Sequence, residues 1–161
     1  YGPIVVVEPG QRVDPETDKI LFFGTAGAGT NVVFGPFPSF VMNGQTQPAA
    51  MHLKVGTRYR FRLLNLAGDT PLIVGLNAGQ TPIMWRAVAK DGYPLPAVQA
   101  TARPATLLFD PGEIYDFEYT PAAQGDLALT FGPPQPPPGS PPPPPGFSPP
   151  PPTITVPVHV Q

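Results

Sequence analysis

The stretch Arg58–Leu66, RYRFRLLNL, alternates apolar and polar side chains with a period of two. Tyr59, Phe61, Leu63 and Asn65 fall on one face and Arg58, Arg60 and Arg62 on the other. Successive side chains of a strand point to opposite faces, so this pattern predicts a half-buried β-strand with its arginines wet or paired. The segments before it agree. Asn43-Gly44 suits the positive φ angles of a tight two-residue turn, Met51–Val55 reads as a short strand, and Val55-Gly56-Thr57 reads as a second turn. No window of the chain sustains an apolar period of 3.6 residues, so helices are not expected.

The same reading extends along the chain. Ile4–Val7 is a compact β-branched run expected to be buried on both sides, Glu8–Lys19 a polar connection, Ile20–Phe23 another apolar run, and Gly24–Pro38 a loop rich in Gly and Ala. Further strands are predicted at Leu72–Leu76, Met84–Ala89, Ala105–Phe109, Ile114–Thr120, Leu127–Phe131 and Thr153–Val160, with Asp110-Pro111-Gly112 as a turn. Many short strands with regular turns indicate an all-β fold, a Greek-key sandwich or barrel. At 161 residues the chain is one domain by length, with or without appendages.

Half of the 28 prolines, 14, lie between Pro133 and Pro152. Such a tract cannot donate ladder hydrogen bonds and favours polyproline II, with Gly139 and Gly146 as interruptions. A strand pattern resumes after it, so the tract reads as an excursion between two strands of one domain; a linker to a further domain is the alternative. As a function, a spacer or interaction arm is preferred to a ligand for a polyproline-binding domain.

Composition narrows the function. The net charge is −2 and only 12% of residues are charged, so there is no basic stripe for nucleic acid. No run of about twenty apolar residues suggests a membrane helix. The chain opens Tyr1-Gly2-Pro3 without an initiator Met or a signal peptide, which reads as a mature or cut piece. There is no cysteine, hence no disulfide, and the histidines are His52 and His159 alone.

Four segments carry a family resemblance: Tyr1–Pro9 (YGPIVVVEP); Val41–Gly44 (VMNG) followed by Val55–Asn65 (VGTRYRFRLLN); Trp85–Leu95 (WRAVAKDGYPL); and Phe109–Phe117 (FDPGEIYDF). Their order and spacing over roughly the first 130 residues resemble the multicopper oxidases, laccase-like enzymes built from cupredoxin domains. The resemblance implies a cupredoxin (plastocyanin-like) sandwich. Residues 1–10 would be the closing strand of a preceding cupredoxin-like domain, 11–38 a connection and loop, and 39–161 the copper-free second domain, with the proline-rich stretch 133–152 inserted. It further implies a secreted or periplasmic parent, a copper-dependent oxidoreductase that couples one-electron oxidation of a substrate to reduction of oxygen. Partners would be neighbouring cupredoxin domains, or copies of the chain through sheet edges. A stand-alone structural or assembly module without enzymatic activity is the rival reading.

The residues supply no catalytic set. A blue-copper centre needs a Cys thiolate and two imidazoles, and no His-X-His pair exists for a multinuclear cluster. No cofactor is therefore assigned to this chain; copper belongs to the implied parent. His52 and His159 are expected on the wet faces of their strands. A shared metal site would need those strands to be adjacent, with a carboxylate or water added. Asp91-Gly92 reads as a turn in which Asp91 bonds the following residues, in preference to a catalytic carboxylate. Trp85, beside Met84, reads as a half-buried core residue before a substrate-pocket wall. Arg58, Arg60 and Arg62 read as a solvated face paired with acids such as Asp116 and Glu118. Gly24–Thr30 lacks the Gly-Lys-Ser/Thr ending of a phosphate loop.

Overall fold

The computed structural model describes residues 3–7, 9–26, 39–68, 70–142, 144–145 and 151–161. The strands are β1 (Asp18–Ala26), β2 (Ser39–Met42), β3 (Met51–Leu53), β4 (Tyr59–Leu66), β5 (Leu72–Ala78), β6 (Thr81–Pro82), β7 (Met84–Lys90), β8 (Tyr93–Pro94), β9 (Ala102–Pro104), β10 (Thr106–Phe109), β11 (Ile114–Tyr119), β12 (Gly125–Gly132) and β13 (Ile154–Val160). No helix occurs among the described residues, and so none is long and apolar enough to cross a membrane.

Two mixed sheets face one another. One runs β2-β1-β4-β11-β7-β8, with β9 also on β7; the other runs β10-β5-β12-β13-β3, with β6 on β5. The pairings are antiparallel except β1 with β4 and β13 with β3, which are parallel. Strand β4 explains why the sandwich closes where it does. Tyr59, Phe61, Leu63 and Asn65 are all buried while Arg60, Arg62 and Leu64 are partly open, which is the period-two pattern read from the sequence. The interior is filled by Phe23, Phe61, Phe109, Phe117, Phe131 and Trp85 with their aliphatic neighbours. Trp85 stacks on Phe117 with ring centroids 4.1 Å apart, and Phe23 meets Phe131 at 4.9 Å. Aromatic side chains of this size bury the most apolar area per residue, and their geometry adds to it.

Two polar side chains are buried among the described residues, Asn65 and Asp116. Asn65 is saturated. Its Nδ2 donates to the carbonyls of Thr70 and Phe109, each at 3.1 Å, and its Oδ1 accepts the Ala67 N–H at 2.9 Å. A buried amide without such partners would cost about 1–3 kcal/mol.

Two type I′ turns share one device. Asn43 and Gly44 have φ of 51° and 80°, and Asp91 and Gly92 have 49° and 79°. In each turn the first side chain also completes a neighbouring strand. Asn43 accepts the Phe22 N–H and donates to the Ile20 carbonyl of β1; Asp91 accepts the Ile114 N–H that opens β11. Asp91 thus bonds a distant strand, where the sequence suggested the turn that follows it.

Several expectations change. The connection placed over 11–38 contains β1, which runs on through Gly24-Thr25-Ala26 because Val41, Phe40 and Ser39 pair with them; residues 27–38 of the expected loop lie outside the described residues. Ile4–Val7 is neither paired nor buried: Ile4 is 92% and Val6 89% exposed. Burial on both sides requires layers packed on both faces of a strand, and this segment instead borders a cleft on the outer side of β4 near Arg60 and Arg62. Trp85, read as half-buried, is 1% exposed, while Met84 on the opposite face is 54% exposed. The long connection from β12 to β13 joins antiparallel neighbours, Phe131 pairing with Ile154. Gln135 Nε2 pins its base by donating to the carbonyls of Pro133 and Pro151; Gly139 takes φ 83° in a turn, and Gly146 lies outside the described residues.

Candidate functional site

Strand β13 carries Val156, Val158 and Val160 into the core, so His159 projects outward by alternation. Its neighbour β3 buries Leu53 and exposes His52. The parallel register sets His159 directly against His52 and Val160 against Leu53. The imidazole centroids are 5.3 Å apart, with the rings tilted by 36°. On the other flank of β13, the antiparallel register sets Asp126 of β12 opposite His159, and Asp126 Oδ1 lies 2.7 Å from His159 Nδ1. Residues far apart in sequence thus form one transverse row, Asp126–His159–His52, on the outer face of the smaller sheet. Among the described residues there is no group of three or more His, Cys, Asp or Glu side chains disposed around one point as a metal cage.

The outer face of the larger sheet carries a charge network. Arg60 Nη2 lies 2.6 Å from Asp116 Oδ2, and Arg62 spans Asp116 at 3.0 Å and Asp18 at 2.8 Å. Two guanidinium groups cap the buried Asp116 carboxylate, and forked charge-assisted bonds of this kind are strong. Asp116 and Phe117 alternate to opposite faces of β11, Asp116 beneath the two arginines and Phe117 in the core, while the bulge in the β11–β7 pairing places its extra residue, Val88, on β7. Glu118 pairs with Arg86 at 3.4 Å, so Arg60 and Arg62 take Asp116 and Asp18 as their acids, while Arg58 is exposed ahead of β4. Between this network and the segment Pro3–Val7 lies a cleft of about 490 Å³. A second cleft of about 460 Å³, bordered by Val13, Lys19, Met42, Pro48 and Met51, is mainly apolar and shallow.

A third cluster lies where β7 ends and β11 begins. Lys90 Nζ is 2.7 Å from Glu113 Oε1 and 5.1 Å from the centre of the Tyr115 ring. The Glu113 carboxylate and then Tyr115 push the Lys90 ammonium above the ordinary lysine range. The Lys90 ammonium, followed by the Asp110 N–H donated to Glu113, holds Glu113 below the usual carboxylate range. Burial raises the Tyr119 hydroxyl.

A blue-copper centre does not fit these residues. Its thiolate has no source in a chain without cysteine, and both histidines face away from the sandwich interior. The sequence singled out His52 and His159 separately; the structure brings them together. Asp126 carried no signal, because only the β12–β13 register shows what it faces. Asp91, Trp85 and the Arg60–Arg62 strip are taken up by hydrogen bonding, core packing and ion pairing among themselves and their neighbours.

No family model and no curated protein matches the chain, but solved structures share its fold. The blue copper oxidase from Nitrosomonas europaea matches with a TM-score of 0.62 at 19% identity, over 94% of this chain and 47% of that one. A laccase-like multicopper oxidase, CueO, from the lignin-degrading bacterium Ochrobactrum sp. gives 0.58 at 16%, over 91% and 31%. Fet3p, a multicopper oxidase that functions in iron import, gives 0.59 at 12%, over 78% and 25%. The fold is therefore the cupredoxin-like sandwich that these multicopper oxidases contain. The chain spans from a quarter to about half the length of these structures.

Proposed function

We propose that this chain is a structural cupredoxin-like domain of a multicopper-oxidase-like protein, holding none of the electron-transfer or oxygen-reducing copper. In this reading residues 1–10 close a preceding cupredoxin-like domain and the sandwich spaces its neighbours. The parent, secreted or periplasmic, oxidises its substrate one electron at a time and reduces oxygen to water. The observation that carries the reading is the interior of the sandwich. Asn65, the buried polar side chain on its inner face, is consumed by structural bonds, as is Asp116 beneath the arginines of the outer face, and the chain offers no thiolate. The exposed Ile4 and Val6 add support, since a β-branched segment left on a surface suits a covering partner.

The test is intact mass, terminal sequencing and copper content of the native polypeptide. A longer polypeptide with oxidase activity, from which proteolysis releases this region without blue-copper absorbance, is the expected result. A native polypeptide bounded by these residues and lacking oxidase activity would overturn it. The second reading, a stand-alone assembly module, would then hold; it draws on the same exposed segment, which can be covered by a second copy as well as by a neighbouring domain.

A further inference from the structure

We propose that His52 and His159 form a surface site for one divalent transition-metal ion, with Asp126 orienting His159. This site is separate from the oxidase chemistry above and stands whether or not that reading holds.

The argument starts from register. Neighbouring strands lie about 4.7–4.9 Å apart, and His52 and His159 are register partners on the parallel pair β3 and β13. Their ring centroids lie 5.3 Å apart. Two metal–nitrogen bonds of about 2.0–2.1 Å at a tetrahedral ion set their nitrogens roughly 3.3 Å apart. Small rotations about χ1 and χ2 bring opposed imidazoles to that separation without moving the backbone. The backbone is itself fixed by the β12–β13–β3 ladder.

Asp126 supplies the second observation. Its carboxylate accepts the Nδ1–H of His159 at 2.7 Å, which leaves the Nε2 lone pair for an ion. A carboxylate behind a ligand histidine fixes its tautomer and raises its basicity. The His159 side chain remains 45% exposed, and His52 stands on the edge strand of its sheet, so an ion can reach both rings. Water fills the remaining positions, since no third His, Cys, Asp or Glu joins the pair among the described residues. Imidazole pairs favour Cu²⁺, Ni²⁺ and Zn²⁺ over Mg²⁺ and Ca²⁺, with Cu²⁺ bound most tightly. With two protein ligands the site is exchangeable, unlike a four-ligand structural zinc site.

The experiment titrates the full chain with Zn²⁺ and with Cu²⁺ by calorimetry in a non-coordinating buffer, and counts coordinated nitrogens from the electron paramagnetic resonance of the Cu²⁺ form. One ion per chain with two imidazole nitrogens is expected. His52→Asn and His159→Asn should each leave one nitrogen. Asp126→Asn should weaken binding roughly 10-fold, the low end of the usual range because this carboxylate is exposed, and either histidine variant should weaken it more. Circular dichroism of each variant checks that the fold is retained. Binding unchanged in His52→Asn, a single nitrogen in the parent chain, no effect of Asp126→Asn, or one ion per two chains with dimerisation would each overturn the proposal.

Discussion

Lys90 Nζ lies 2.7 Å from Glu113 Oε1, joining the end of β7 to the residue just before β11. This pair sets a pH dependence. Glu113 is held below its ordinary value near 4.5 in the folded chain, so the unfolded state binds its proton first as pH falls. Its contribution is present above that value and is lost as pH drops through the lowered folded pKa. Lys90 is raised, so its contribution persists through neutrality and is lost only as pH rises beyond the ordinary lysine range. Urea midpoints of the parent chain and Glu113→Gln should therefore differ at neutral pH and converge in acid. A constant difference across the acid range would refute the assignment.

Asn65 predicts a stability loss that shape alone cannot rescue. Asn65→Ala should cost about 3 kcal/mol, because it removes three hydrogen bonds of a buried amide, two of them fully buried. Asn65→Asp keeps the shape but turns an acceptor toward the Thr70 and Phe109 carbonyls, and should cost at least as much. Chemical denaturation measures both; an aspartate variant as stable as the parent would show that the amide donors are not needed.

Asp116 should matter far more than Glu118. Asp116→Ala leaves Arg60 and Arg62 without their shared, buried acid and should cost about 2–3 kcal/mol, reduced from the fully buried case because Arg60 remains partly exposed. Glu118→Ala breaks a longer, exposed pair with Arg86 and should cost under about 1 kcal/mol. Added salt should erode the second effect more than the first.

The Asn43 turn separates backbone from side chain. Asn43→Gly keeps the positive φ of 51° but loses both bonds to β1. Asn43→Ala loses the bonds and also carries about 1 kcal/mol of left-handed backbone strain. Thermal unfolding should therefore rank the parent above the glycine variant, and that above the alanine variant. Equal melting of parent and glycine variants would remove the side-chain role.

The sequence made faces legible and partners illegible. Alternation in Arg58–Leu66 put Asn65 inside and Arg60 and Arg62 outside, because strand geometry ties parity to side. The resemblance led to the cupredoxin-like sandwich that the solved structures share. It did not show that Asp116 would be buried, since that follows from two arginines of β4 converging on it across the β4–β11 pairing. Nor did it extend β1 through Gly24-Thr25-Ala26, where pairing with β2 outweighs the weak strand preference of small residues. The row Asp126–His159–His52 was least visible. Its members belong to three strands whose register is fixed by long-range pairing, and no local pattern encodes that.

The connection from Gly132 to Ile154 also bears on the order in which the chain folds. A tight hairpin would let β12 and β13 zip from their turn, but here Phe131 must find Ile154 across about twenty residues. The ring to be closed is large, though each doubling of its length costs only about 0.6 kcal/mol. The final strand is thus recruited by the β5–β12 template more than by its own turn. Variants with a shortened tract should refold faster while unfolding at nearly the same rate. The sandwich can then tolerate wide drift in the length of this tract, because what it hangs from is the sheet.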